Sequence, residues 1–314
     1  MGAYDRRTFI KHSALLVAAA GTARAFPSDV AASTSVSATG QGMLRTYLSD
    51  PPTRPEVIAH RGGNGQWPGE TLRAFRGAAQ LGADVLEMDV FLSRDNELVL
   101  MHDHEVRKTT EGCGTVNELY SDYLRTLNAG HKWSPDGKRR PFEGRSALSP
   151  EYSDLRVPLL KEVLDEFPGA RMVIEMKKAD KSPAAALSRM IRKRGLADRV
   201  LVASFVGKFM DEFRQLSPEV PTSYTLSKGD VKRLLSGKRF SEGVPSEPSA
   251  IQLPYRLVTG EVVSHARARN IKVHAWTVND LDKMYLMWNL GVDGIITDYP
   301  GPLLALLGRA RPSS

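Results

Sequence analysis

The chain has 314 residues, is 25% charged and 41% hydrophobic, and carries a formal net charge of +7. This composition excludes a disordered or fibrous chain and leaves an ordinary globular one, long enough to bury a full core. A single cysteine, Cys113, excludes an intrachain disulfide, and the mild charge without a basic, aromatic-interleaved stripe argues against nucleic acid as a partner.

The N-terminus reads as an address. Arg6-Arg7-Thr8-Phe9-Ile10-Lys11 runs into an apolar stretch over 14–20 and then Ala23-Arg24-Ala25. Charged, apolar and small-x-small segments in that order make a signal cleaved near Ala25. The apolar run is too short to span a bilayer. Paired arginines before Thr-Phe-Ile-Lys resemble a twin-arginine signal. That resemblance implies a precursor handled already folded by the twin-arginine export machinery and a periplasmic or extracellular product. No other segment reads as transmembrane, so no stable membrane insertion is expected. Residues 26–54 are rich in Ala, Ser, Thr, Gly and Pro, the composition of a flexible leader.

From residue 55 to 310, short β-branched or apolar runs alternate with helical patterns. The runs lie at 57–60, 85–89, 98–102, 172–176, 200–204, 222–225, 251–253, 273–276 and 294–297. Apolar residues at three- and four-residue spacing predict helices over 71–81, 159–167, 184–194, 206–216 and 281–290. Such alternation means βαβ units around a parallel sheet, and at this length a TIM (β/α)8 barrel. Nine runs exceed the eight that a barrel needs. The surplus falls at 85–89 and 98–102, which are too close for a helical crossover and are separated by the turn residues Asp95-Asn96. Residues 105–157 show no clear strand and are expected as an inserted loop or small subdomain after the third strand.

Strand ends carry the chemistry in such barrels, and here they are polar: His60-Arg61, Glu87 and Asp89, His102-Asp103, Glu175 and Lys177. Glu87 and Asp89 are two apart and share one face of a strand. Carboxylates so placed repel unless a cation lies between them. Oxygen donors suit Mg²⁺ or Ca²⁺, with Glu175 as a third ligand. His60 and His102 titrate near neutrality and are candidates for base and acid. Arg61 and Lys177 can hold phosphate oxygens. Each residue alone also fits a plainer part: a packed histidine, a salt-bridged carboxylate, a cation paired with the acidic cluster. The set together suits phosphodiester cleavage.

The string Val57-Ile58-Ala59-His60-Arg61-Gly62-Gly63, followed by Pro68-Gly69-Glu70-Thr71, resembles the opening of the glycerophosphodiester phosphodiesterase family. Gly82 to Val90, Leu98 to Asp103, Lys108 to Gly114, Ile174 to Lys177, Ala203-Ser204-Phe205, Ala275 to Asn279 and Gly291 to Pro300 continue the likeness in order. The resemblance implies a metal-dependent TIM-barrel enzyme that releases glycerol 3-phosphate and an alcohol. It places one divalent cation, Ca²⁺ or Mg²⁺, on Glu87, Asp89 and Glu175, acid–base roles on His60 and His102, and phosphate contacts on Arg61 and Lys177. It also places Trp276 in the substrate pocket, though Trp276 equally fits barrel core. Two readings stand beside this one: a phospholipase D-type enzyme acting on lysophospholipids or sphingolipids, and a barrel that binds glycerophosphodiesters without cleaving them. The chain departs from the family where Pro-Gly-Glu-Thr replaces Pro-Glu-Asn-Thr, so Gly69 occupies the glutamate's place and Glu70 follows it. Lys108 also stands where an arginine is usual.

Overall fold

The computed structural model describes residues 54–225 and 248–310. The expected signal and the leader up to residue 53 lie outside the described residues. The elements run β1 (Glu56–Ala59), α1 (Leu72–Leu81), β2 (Val85–Leu92), β3 (Leu98–Leu100), α2 (Ser121–Leu124), α3 (Leu160–Glu166), β4 (Arg171–Met176), α4 (Ala184–Arg194), β5 (Val200–Ala203), α5 (Gly207–Leu216), β6 (Ala250–Pro254), α6 (Gly260–Arg267), β7 (Lys272–Trp276), α7 (Leu281–Asn289), β8 (Gly294–Thr297) and α8 (Pro300–Leu306).

Local chemistry sets the helix limits. At α1 the Thr71 hydroxyl accepts the Ala74 N–H at 3.1 Å, and Gly82, with φ +89°, ends the helix in the left-handed conformation. Ala74, Phe75, Gly77 and Ala78 form its buried face. The short α6 was not expected from periodicity, because one eight-residue element with Val262, Val263 and Ala266 buried is too brief to register.

Strands pair in the order β5-β4-β2-β1-β8-β7-β6, with every neighbour parallel. The opening between β5 and β6 is closed by two residues. Thr222 pairs in parallel with Val202, and Ser223 pairs in parallel with Ala250. The Ser223 N–H donates to Val202 O and the Tyr224 N–H to Ala250 O, each at 2.9 Å. This short stave, inside the run expected at 222–225, completes an eight-stave barrel. The surplus run at 98–102 is β3, which pairs antiparallel with β2 off the barrel path. Its turn is closed by the Ser93 N–H on Glu97 O at 3.0 Å, with Asn96 at φ +65°.

The period of two sorts the side chains. Val57 and Ala59 pack outward beneath the helices, while Ile58 joins Val85, Val173, Leu201, Ala250 and Ile296 in a buried layer inside the barrel. That layer is the floor beneath the strand ends. Residues 105–157 hold only short helical turns and isolated bridges. Val106, Val116, Leu124, Leu127, Ala129 and Val157 cluster there against Phe91, Val99, Met101 and Leu159.

Arg214 explains how so short a stave persists. It is 2% exposed, and its guanidinium donates from Nε to Thr222 Oγ1 at 3.1 Å and from an Nη to Ser223 O at 2.9 Å. Charged donors in a dry setting contribute more than neutral ones. Arg214→Met leaves both acceptors without these donors and is expected to lower the unfolding free energy by about 3 kcal/mol. Urea denaturation followed by circular dichroism measures this, and a loss under about 0.5 kcal/mol would show that the stave does not depend on the arginine.

Candidate active site

At the end of β1 the chain enters a one-turn 3₁₀ segment, His60–Gly62, with Arg61 at φ +53° and Gly62 at φ +76°. A Cβ on Gly62 would stand 2.8 Å from Ala74 Cβ, so helix α1 presses directly on the turn and glycine is required. The strained Arg61 backbone is held from two sides. Its N–H donates to Glu87 Oε2 at 2.7 Å, and its carbonyl accepts the Glu70 N–H at 3.1 Å.

Glu87 and Asp89 share the inward face of β2 with Val85. Asp89 lies in register with Glu175 on β4. The three carboxylates offer oxygens all within 4.8 Å of one another. Burial, then the charge of Asp89, pushes Glu87 and Glu175 up to about 7. Burial opposes ionisation of Asp89 too, but Lys177 and Arg61 outweigh it and hold its carboxyl low. The Lys177 ammonium lies 2.8 Å from Glu175 and 3.4 Å from Asp89, and Arg61 Nε lies 3.4 Å from Asp89 Oδ2.

This donor set fits a hard divalent cation. It is all oxygen, it is crowded enough to resist full ionisation, and the buried Asp89 Oδ2 accepts no hydrogen bond. Glu70 adds a fourth carboxylate nearby. Its Oε1 accepts the Asp89 N–H at 3.0 Å, and burial followed by the charges of Asp89 and Glu87 raises its pKa well above the usual range.

His60 is held by a relay that the residue types alone did not reveal. Its Nδ1 lies 2.7 Å from Asp298 Oδ1. The other Asp298 oxygen accepts from Asn279 Nδ2 at 2.6 Å, and the Asp298 N–H donates back to Asn279 Oδ1 at 2.9 Å. This leaves Nε2 of His60 free to work. Burial lowers the pKa of His60, but the Asp298 bond and the charge of Glu87 reverse this and raise it overall. His102 is different. Its Nδ1 lies 3.5 Å from Asp103, and burial leads to a lowered pKa, only partly offset by Asp89. Asp298 and Asn279 sit inside strings that carried the family likeness, and a period-two signal was available for Asp298, which stands two residues beyond the inward Ile296.

Of the two parts expected of it, Trp276 shows the packing one in the structure. It packs against the interior layer and meets Phe205 edge-on, with ring centroids 5.8 Å apart. Phe205 is 55% exposed. Beside them a recess is lined by Glu175, Ala203, Ser204, Phe205, Tyr224 and Gln252. From the insertion, Trp133 donates its indole N–H to Asn64 O at 2.7 Å and so ties that segment to the loop after His60.

Comparison with known proteins agrees with this geometry. Residues 60–302 match the model of the glycerophosphoryl diester phosphodiesterase family. The chain belongs to that family and is an enzyme. A glycerophosphodiester phosphodiesterase of Bacillus subtilis is 29% identical over 85% of this chain and 89% of its own length. A phosphodiesterase of Oleispira antarctica, solved with the product sn-glycerol-3-phosphate, superposes with a TM-score of 0.65 at 26% identity, covering 81% of this chain and 97% of its own. A lysophospholipase D of Rattus norvegicus is 25% identical over 80% of this chain and 85% of its own length. Among the described residues no helix is long and apolar enough to cross a membrane.

The relay has a measurable consequence. Asp298→Asn removes the charge that raises His60, so the alkaline limb of the pH–rate profile is expected to move to lower pH. kcat/KM is expected to fall by about 100-fold or more. An unmoved alkaline limb would show that Asp298 does not set the proton affinity of His60.

Proposed function

We propose that the chain hydrolyses glycerophosphodiesters to glycerol 3-phosphate and an alcohol, using His60 and His102 as the acid–base pair and one divalent cation, Ca²⁺ or Mg²⁺, held by Glu87, Asp89 and Glu175. The observation that carries this is the three-carboxylate cluster set beside Lys177 and Arg61 at the strand ends that also carry the two histidines. When bound, the cation supplies Lewis-acid charge to a phosphoryl oxygen.

The residues of the chain supply the rest. Arg61 and Lys177 bind phosphate oxygens. His60, with Nδ1 on Asp298 and its pKa raised, is the stronger base. It takes the proton of the attacking glycerol hydroxyl at Nε2, and Asp298 stabilises the imidazolium that forms. His102, with its lowered pKa, is the stronger proton donor and protonates the leaving alcohol oxygen as its bond to phosphorus breaks. The first step thus closes a cyclic phosphate on the glycerol, and in the second the pair exchanges roles: His102 deprotonates a water that attacks this cyclic phosphate, and His60 returns its proton to the glycerol oxygen as its bond to phosphorus breaks. The working form has His60 neutral and His102 protonated, so activity is bell-shaped in pH, falling on either side of the range in which that form is most populated.

A second reading keeps the chemistry and enlarges the alcohol. The half-exposed Phe205 edge-on to Trp276 gives the recess beside Glu175 an apolar rim. This favours a lysophospholipid chain lying against it, the class of substrate named for the rat relative.

Release of glycerol 3-phosphate from glycerophosphocholine by the purified protein, with EDTA and after Ca²⁺ or Mg²⁺ is restored, tests the first reading. The expected result is cation-dependent release that drops by at least about 100-fold in His60→Ala and in His102→Ala. Undiminished activity in both variants would rule out the acid–base assignment. Faster turnover of lysophosphatidylcholine than of glycerophosphocholine would move the substrate to the second reading.

A further inference from the structure

Glu70 has no part in the chemistry above, yet it is among the most buried acids of the barrel mouth. It is 5% exposed, its backbone lies at φ +59°, and Oε2 has no hydrogen-bond partner. An acidic side chain in a left-handed backbone with one buried oxygen unsatisfied is unfavourable on three counts. Such a residue persists where its surroundings fix it, and here they do. The Glu70 N–H is bonded to Arg61 O, and Oε1 accepts the N–H of Asp89.

Its neighbour explains why the carboxylate comes from this position. A Cβ on Gly69 would stand 2.6 Å from Asn64 Oδ1, the same oxygen that accepts the Gly69 N–H at 3.2 Å. Asn64 is fixed in turn by the Trp133 indole on its carbonyl. A side chain at 69 would displace the Asn64 amide and its bond to the Gly69 N–H, whereas residue 70 places a carboxylate behind Asp89 without disturbing it.

We infer that Glu70 is a positioning residue for the cation site: it holds Asp89 by its backbone N–H and keeps a second oxygen buried behind the ligands, and so sets how tightly this chain holds its divalent cation. The inference rests on the cation reading of Glu87, Asp89 and Glu175. Glu70 lies outside the group whose oxygens share a 4.8 Å neighbourhood, so it acts on the ligands and not in their place. Its Oε2, without a hydrogen-bond partner in the protein, would be available to a water carried by a bound cation, since hard cations retain water that must itself be hydrogen-bonded.

Calorimetric titration of Ca²⁺ and of Mg²⁺ into cation-stripped full-length protein tests this. Glu70→Gln keeps the acceptor for the Asp89 N–H but puts an amide donor where Oε2 stood. Glu70→Ala removes both oxygens. The expected result is a cation affinity weaker by about tenfold in Glu70→Gln and weaker still in Glu70→Ala. Turnover at limiting cation should fall in both variants and return towards the wild-type kcat at saturating cation. Wild-type affinity in both variants would overturn the inference, as would a lower melting temperature in EDTA with unchanged affinity. Absence of cation binding in the wild type would instead refute the cation reading itself, and the two failures are thereby distinct.

Discussion

Three carboxylates converge at the mouth of a dry barrel, and their mutual repulsion is the constraint around which the rest is arranged. Glu87 and Asp89 project from β2 and Glu175 from the register partner of Asp89 on β4, with oxygens within 4.8 Å of one another. Burial makes each charge costly to hold, and proximity makes the second and third costlier. Lys177 and Arg61 offset part of this, and their ion pairs with Asp89 are the reason that one acid stays ionised while Glu87 and Glu175 drift up to about 7. Two cationic side chains cannot balance three ionised ligands and an ionised Glu70 behind them, so protons held by Glu87, Glu175 and Glu70 make up the difference. A bound divalent cation would take the place of those protons.

The barrel supplies the precision. Alternation along each strand sends Ile58, Val85, Val173 and Ile296 into the interior layer. The residues that follow two or four positions later, His60, Glu87 with Asp89, Glu175 and Asp298, arrive above that layer. The same geometry that fills the core therefore aims the site, and the strain at Arg61 and Glu70 is borne by hydrogen bonds between the loop and the ligands themselves. Rigid staves below and a tied loop above are what a reaction needing groups held to fractions of an ångström requires.

Much of this was legible in the chain. Period-two runs ending in charged residues marked the staves, and the Glu-x-Asp spacing put two carboxylates on one shared face. What escaped was set by contacts distant in sequence. The run at 222–225 was legible, but its contraction to a stave of Thr222 and Ser223, held by Arg214 and two neighbouring strands, was not. Asp298 meets His60 across 238 residues, and no local pattern announces such a pairing. Glu70 resembled a displaced motif residue, and only the crowding of Gly69 against Asn64 shows why the displacement keeps a carboxylate at the site.

The most direct test of the central claim is the melting temperature of the wild type and of Glu87→Gln, each in EDTA and with Ca²⁺ or Mg²⁺ added. The amide of the substituted side chain can still accept the Arg61 N–H but brings no charge. The account predicts that one of these cations raises the wild-type melting temperature by mass action, that Glu87→Gln loses most of this response, and that the variant is no less stable than the wild type in EDTA because repulsion has been relieved. A wild-type melting temperature indifferent to both Ca²⁺ and Mg²⁺ would contradict it.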